Sequence, residues 1–342
     1  MSLNAQTRGG ASVDPRARHA QEGIEDVSRE AQLGTKGQPS LGVPVARVMN
    51  VQADRSSDSV TVVIPVWDNY VHYLPEAVES VGNDPGVSIL IVDNASRTPI
   101  PETPGASIFR SQSRLNVGGI RNLGLSRVTT EYALVLDADD ALLPGTLEFL
   151  RSRLAANPSL SVCAVSILDG ETGERHRTPR RFVPAFSRWR RAFALADCVW
   201  SLYPIQSCAM MRTSQAREAG GYADASWGDD WVLAVSLAFR GRVEVHDRLG
   251  RFYRANPDSI WRQPRRSRDL VASARLVRRR IRDDPAIPQW TRAILPAVAA
   301  LQLFAIYALR PLYLAATRMA GEHSMSKTRG PHDRTPDRVL DR

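Results

Sequence analysis

Lysine is nearly absent from this 342-residue chain: Lys36 and Lys327 are the only two, and arginine supplies the rest of the 45 basic residues. That bias fits GC-rich bacterial coding better than selection for a surface. Cysteine is almost as scarce. Cys163, Cys198 and Cys208 form neither a metal-binding spacing nor an even disulfide set, so free thiols in a reducing cytoplasm are expected. The opening residues, MSLNAQTRGGASVDPRARHAQ, lack the apolar stretch of a secretory leader. Excess positive charge is missing from the middle of the chain. Residues 58–258 carry 21 basic and 23 acidic groups, which excludes a nucleic-acid platform there. The net charge of +9 comes from the end, where residues 259–342 hold 17 basic and 7 acidic groups. A hydrophobic share of 43% with 24% charged residues excludes a wholly disordered chain, a collagen-like repeat and a polytopic membrane protein.

What is present begins after a polar stretch. Residues 1–57 are rich in Gly, Ser, Gln, Arg and Pro without a sustained apolar period, and a disordered tail is expected there. Short β-branched apolar runs at 59–65, 87–93, 107–110 and 132–137 then read as buried strands. Helix candidates at 74–81 and 118–128 lie between them. This alternation predicts a parallel sheet covered on both faces, with ligands bound beyond the carboxyl ends of the strands. Past residue 140 the pattern loosens. A helix is expected over 144–156 and a strand over 160–168. An apolar stretch at 199–212 is broken at Tyr203-Pro204, and a helix over 229–239 precedes short strands at 242–246 and 251–253. Two further helices are expected over 269–281 and 293–309, and residues 321–342 read as a second disordered tail.

The strand ends carry the chemistry. Asp137, Asp139 and Asp140 fall within four residues just past a buried strand, and they repel one another unless a cation sits among them. Oxygen-rich sites of this kind suit Mg²⁺ or Mn²⁺, which also bind substrate phosphates. The plain alternative is a solvated acidic turn with Asp140 near a helix start. Asp93 ends the second strand on the same edge. The run 116–124 supplies a glycine turn into a helix whose N-terminus could face an anion. Asp229 and Asp230 open a later helix between Trp227 and Trp231, where acidic residues also complement the helix dipole.

In their order and spacing these pieces resemble family 2 of the glycosyltransferases, with the GT-A fold. Val62-Val-Ile-Pro-Val-Trp-Asp-Asn69 resembles the family's opening strand and turn, and Ile89-Leu-Ile-Val-Asp-Asn-Ala-Ser96 its Val-Asp-Asp/Asn-Gly-Ser element. The run Asn116 to Gly124 resembles its Asn-x-Gly…Arg-Asn-x-Gly stretch. Leu136-Asp-Ala-Asp-Asp140 resembles its Asp-x-Asp motif, and Gly228-Asp-Asp-Trp-Val-Leu233 its Glu-Asp-Trp-x-Leu helix. The resemblance covers residues 58–258.

The resemblance implies a Rossmann-like mixed sheet flanked by helices, with a nucleotide-binding half at 58–140 and an acceptor half at 141–258; the apolar and basic pattern of residues 259–320 adds a helical extension beyond it. It implies a UDP- or dTDP-sugar donor and an acceptor hydroxyl on a saccharide, a lipid-linked saccharide or a cell-wall polymer. Pro65, Val66 and Trp67 would line the base pocket, Asp93 would bond the base, and Asp137 would serve the ribose or metal region. Arg121 would help on the diphosphate side, Asp139 would bind Mn²⁺ or Mg²⁺, and Asp230 would be the base of an inverting transfer. Asn256 stands where relatives often have His, which leaves His246 as a candidate replacement. A phosphatase would want the Asp-x-Asp motif on its first strand, and a pyrophosphorylase a glycine-rich basic loop after its first strand; neither is present. A pyrophosphorylase-like nucleotidyltransferase of related topology and an inactive GT-A-like binding protein remain the alternatives.

Residues 262–282 contain nine Arg and one Asp, and 293–309 are almost wholly apolar. Three arrangements suit them: helices packed on the catalytic domain or on a second subunit of a homodimer, a membrane-spanning helix, or a pair lying on anionic lipid at the cytoplasmic face.

Overall fold

The computed structural model describes residues 58–176, 178–254, 256 and 267–311. All of them fall within the unit Gln52–Arg342. The expected tails at 1–57 and 321–342, and Arg262, Arg265 and Arg266, lie outside the described residues.

Eight strands form one sheet: β1 (Val60–Val66), β2 (Val87–Asp93), β3 (Ala106–Arg110), β4 (Tyr132–Val135), β5 (Ala141–Leu142), β6 (Leu160–Asp169), β7 (Ala209–Arg212) and β8 (Arg242–Tyr253). Their order is β3-β2-β1-β4-β7-β6-β8-β5. The helices are α1 (Leu74–Val81), α2 (Val117–Arg127), α3 (Thr146–Ala156), α4 (Val183–Phe186), α5 (Arg190–Val199), α6 (Thr213–Glu218), α7 (Asp229–Arg240), α8 (Ser267–Asp283), α9 (Trp290–Ala293) and α10 (Leu295–Phe304). A single π turn, Ala305–Leu309, continues α10.

Both faces of the sheet are covered, which is why β1 is apolar at nearly every position rather than at every second one. Val60, Val62, Ile64 and Val66 point to the face packed by α1 and α3. Val63 points to the other, packed by α2 and α7. α7 is buried almost all round because the sheet lies on one side and Ala274, Val277 and Ile281 of α8 on the other.

Strands β1 to β4 pair in parallel, as expected. The sheet as a whole is mixed. β7 enters antiparallel between β4 and β6, and β5 pairs antiparallel with β8. The two short strands expected at 242–246 and 251–253 are one strand whose register against β6 slips between Ala164 and Ser166, so residues 246–248 bulge out of the apolar pattern. The apolar stretch at 199–212 is a strand only over its last four residues. α4 and α5 had no counterpart in the sequence reading. The buried side of α5 includes Asp197 beside Phe193, Ala194 and Cys198, which interrupts the stripe.

The C-terminal helices fall where the apolar periods put them, with α10 shorter than expected. Among the described residues no helix is long and apolar enough to cross a membrane.

Candidate active site

Parallel pairing brings the carboxyl ends of β1, β2 and β4 to one edge, with Val66 directly beside Asp93. A cavity of about 680 Å³ opens there, large enough for a nucleotide-sized ligand. Its walls include Pro65, Trp67, Arg121, Asp137, Asp139, Asp229 and Asp230.

Two expected residues do not stand on that wall. Val66 follows Pro65 in a strand, so its side chain points to the opposite face, where it is fully buried under α1. Asp93 is 1% exposed. Its Oδ2 accepts from Arg110 at 2.5 Å and its Oδ1 from the Ser96 amide at 2.9 Å. It fixes the turn after β2 instead of lining the cavity. That turn borders a second hollow that shares Trp67 and includes Asp68, Arg97 and Arg114. Arg114 stacks over the Trp67 ring at 5.1 Å and bonds Asp68 at 2.9 Å.

The acidic cluster is not an exposed turn. Asp140 is buried, paired to Arg251 at 2.5 Å and bonded by the Ser207 hydroxyl at 2.8 Å. Burial pushes the Asp140 carboxyl up and the Arg251 guanidinium opposes that push. Ser207 accepts from the Asp137 amide with the same oxygen, at 2.9 Å. It takes a left-handed φ of 59° to do so. The helix-cap reading of Asp140 is thereby corrected: the residue anchors the cluster from beneath.

Asp137 belongs to a second ion pair. Arg121 donates to Asp137 at 2.7 Å and to Asp229 at 2.8 Å, joining the end of β4 to the start of α7. Burial works against the Arg121 charge, but the two carboxylates outweigh it and hold the guanidinium charged well above its ordinary range. Asp139 is different. Among the described residues it has no guanidinium at ion-pair distance; the Asn256 amide donates to it at 3.1 Å. Burial, then the charge of Asp137, raises its pKa. A half-buried carboxylate on the cavity wall, with no guanidinium at ion-pair distance among the described residues, is a fitting ligand for a divalent cation, which takes one or two protein carboxylates and completes its shell with phosphate and water. Asn256 therefore occupies the position at Asp139. His246 does not replace it: its ring bonds Glu244 at 3.2 Å and packs edge-on against Phe149.

Asp230 lies in the first turn of α7. Gly228, just before that helix, has φ +69° and sits where a Cβ would come within 2.5 Å of Ser273, so only glycine lets α7 start there against α8. With its amide oriented to suit both neighbours, Gln206 donates to Asp230 Oδ2 at 2.9 Å and accepts from Arg121 at 3.2 Å. Trp227 borders the cavity. Trp231 is mostly packed away, donating from its indole to the Asp197 carbonyl at 2.6 Å. Asp197 itself is fully buried. Its Oδ1 accepts from the Leu202 amide at 2.9 Å, its Oδ2 has no hydrogen-bond partner among the described residues, and burial pushes its pKa up to about 8.

The two glycine amides in the first turn of α2 are bonded within the chain. The Gly119 amide is capped by Asn116 and the Gly118 amide bonds the Ala225 carbonyl. A Cβ at Gly118 would meet Ala223 O at 1.8 Å, so the glycine serves close packing.

Gln206, Ser207 and Arg251 complete the site without belonging to any of the motifs in the sequence. Three clustered carboxylates imply a buried cation, and Arg251 in a strand next to Phe252 and Tyr253 was the available signal. Nothing in the sequence marks Gln206, because its role comes from a chain crossing without regular structure.

A mixed sheet in this order, with acidic strand ends facing one cavity, defines the GT-A glycosyltransferase fold. Residues 61–219 match the family model described as Glycosyl transferase family 2. It is similar in structure to residues 1–349 of S. aureus TarS. The complex of that protein with UDP-GlcNAc superposes at TM-score 0.55 with 13% identity, over 75% of each chain. TarS 1–349 without a named ligand gives TM-score 0.52 with 13% identity, over 74% of this chain and 73% of that one. No curated protein matches the chain.

Proposed function

We propose that the protein moves a sugar from a UDP- or dTDP-sugar to a hydroxyl on a saccharide or lipid-linked acceptor, with inversion at the anomeric carbon. The observation that carries this reading is the pair Asp139 and Asp230 on one cavity, linked through Asp137, Arg121, Asp229 and Gln206. Pro65 and Trp67 flank the nucleoside end, with Asp93 holding the turn beside them from beneath Arg110. Asp139, with Asn256 beside it, would hold Mn²⁺ or Mg²⁺. When bound, that cation supplies charge stabilisation for the diphosphate leaving group. Arg121 keeps Asp137 and Asp229 oriented, so the donor side and the acceptor side cannot drift apart. Asp230 takes the proton of the acceptor hydroxyl as its oxygen attacks the anomeric carbon, and the nucleoside diphosphate leaves from the opposite face.

The test is release of nucleoside diphosphate from a panel of UDP- and dTDP-sugars with Mn²⁺ or Mg²⁺. UDP-GlcNAc comes first because the structural relative is known in complex with it. Asp139→Asn should abolish metal-dependent turnover. Asp230→Asn should lower kcat by roughly 10²-fold with donor binding retained. Full activity of the wild type in EDTA would overturn the metal assignment. Retained anomeric configuration in the product, read by NMR, would overturn the mechanism.

A further inference from the structure

No charged residue occurs between Arg292 and Arg310, yet much of this stretch is not covered. Val298, Gln302 and Ile306 turn inward. Gln302 fixes the rotation of α10: its amide nitrogen donates to the Cys198 carbonyl at 2.8 Å, and its amide oxygen accepts from Arg278. The outward side is therefore set, and it is apolar. Leu301, Phe304 and Tyr307 stand 52%, 55% and 59% exposed. These three lie on one face at helical spacing, so they form a patch rather than scattered side chains.

The flanks carry charge of one sign. Trp290 and Arg292 are exposed at one end and Arg310 closes the other. Residues 267–311 hold eight Arg against three Asp. Arg279 and Arg282 share Asp283, whereas Arg275 and Arg292 are exposed with no carboxylate at ion-pair distance among the described residues. The same helix also borders the cavity. Ala305, Ile306 and Leu309 form part of its wall, together with Val199, Trp200 and Phe182. Phe182 and Trp200 are themselves exposed, so the apolar end of the cavity reaches the surface there.

We propose that the outward face of α10 and its π turn docks on an anionic lipid bilayer, and that the apolar end of the cavity receives an acceptor carried in that bilayer. An apolar helix with aromatic and Arg side chains at its ends lies in the lipid interface, and anionic headgroups match the surplus arginine. A second copy of the chain fits less well, because it would bring the same positive charge against these arginines. The acceptor half of the proposal rests on the glycosyltransferase reading; the docking half does not.

Co-sedimentation of the full chain with phosphatidylcholine vesicles, with and without phosphatidylglycerol, tests it. The wild type should bind the anionic vesicles more tightly, and less so as salt rises. The triple variant Leu301→Ser, Phe304→Ser, Tyr307→Ser should lose at least about tenfold in partitioning. None of these three borders the cavity, so its UDP binding should match the wild type, which also shows that it folds. Arg275→Gln and Arg292→Gln should each lose about fivefold on anionic vesicles and little on neutral ones. Wild-type protein that ignores anionic vesicles at low salt overturns the docking proposal, as does a triple variant that binds them unchanged. A wild-type dimer that the triple variant splits assigns the face to a second copy instead. If vesicle binding holds while UDP-sugar turnover is absent, the failure lies with the glycosyltransferase reading and not with the docking face.

Discussion

Charge and apolar surface change places between the sheet edge and the C-terminal helices. At the sheet edge, ionisable side chains are inside: Asp140 with Arg251, and Asp229 with Arg121, are all buried and bonded. In α10 the apolar side chains are outside, and the one polar group on its inner face, Gln302, is the bonded one. A buried ion pair seldom adds net stability, since desolvation offsets the attraction, so its presence points to a geometry being held. An exposed apolar face likewise forgoes burial energy, so its presence points to something that covers it. Both regions depart from the usual rule of apolar inside and charged outside, in opposite directions.

The largest effect is expected from breaking the inner pair. Arg251→Met leaves Asp140 buried beside Ser207 without its cation, and unfolding free energy should fall by about 3–5 kcal/mol in chemical denaturation. A much smaller loss would mean that solvent reaches Asp140 and that the cluster is not closed from beneath.

An intermediate effect, and a gain, is expected at Asp197. Burial raises its folded pKa from the ordinary carboxylate value to about 8. A raised folded value means the folded chain holds the proton more tightly than the unfolded one. Its contribution is therefore fully present below the unfolded pKa and is lost as pH rises to about 8. Asp197→Asn cannot lose that proton. The variant should match the wild type near pH 4 and exceed it by a few kcal/mol near pH 8, seen as a higher Tm only at the upper end. A constant difference across that window would show that Asp197 is charged throughout.

The smallest effect is expected outside. Phe304→Ser removes an aromatic ring that the folded chain does not bury, so stability should change by no more than about 0.5 kcal/mol. Loss of stability on the scale of a core substitution would show that the ring is covered in solution and would blur the contrast between the two regions.

How much of this was written in the chain differs between the same two regions. Elements whose signal is local were legible. β1, β2 and β4 are short β-branched runs, and α8 repeats its apolar residues at helical spacing, so each announces its own conformation. The presence of Asp137, Asp139 and Asp230 on strand or helix ends was legible for the same reason. The helix-period stripe that fails in α5 and the strand broken at 246–248 were not. A buried Asp197 and a bulge are tolerated only because distant chain supports them.

The amino-acid order by itself determined the alternating α/β core, the acidic strand ends and the basic, apolar C-terminal stretch, since neighbours along the chain decide each of them. Only the tertiary structure decided which carboxylates face the cavity and which are sealed beneath it. Parity along β1 turned Val66 away from the cavity that Pro65 borders. Arg110 closed over Asp93, Arg251 took Asp140, and Arg121 took Asp137 and Asp229, which left Asp139 without a guanidinium partner among the described residues. Those pairings join residues from 16 to more than a hundred positions apart, and an ion pair is specified by distance in space, which the chain acquires only once the sheet has formed.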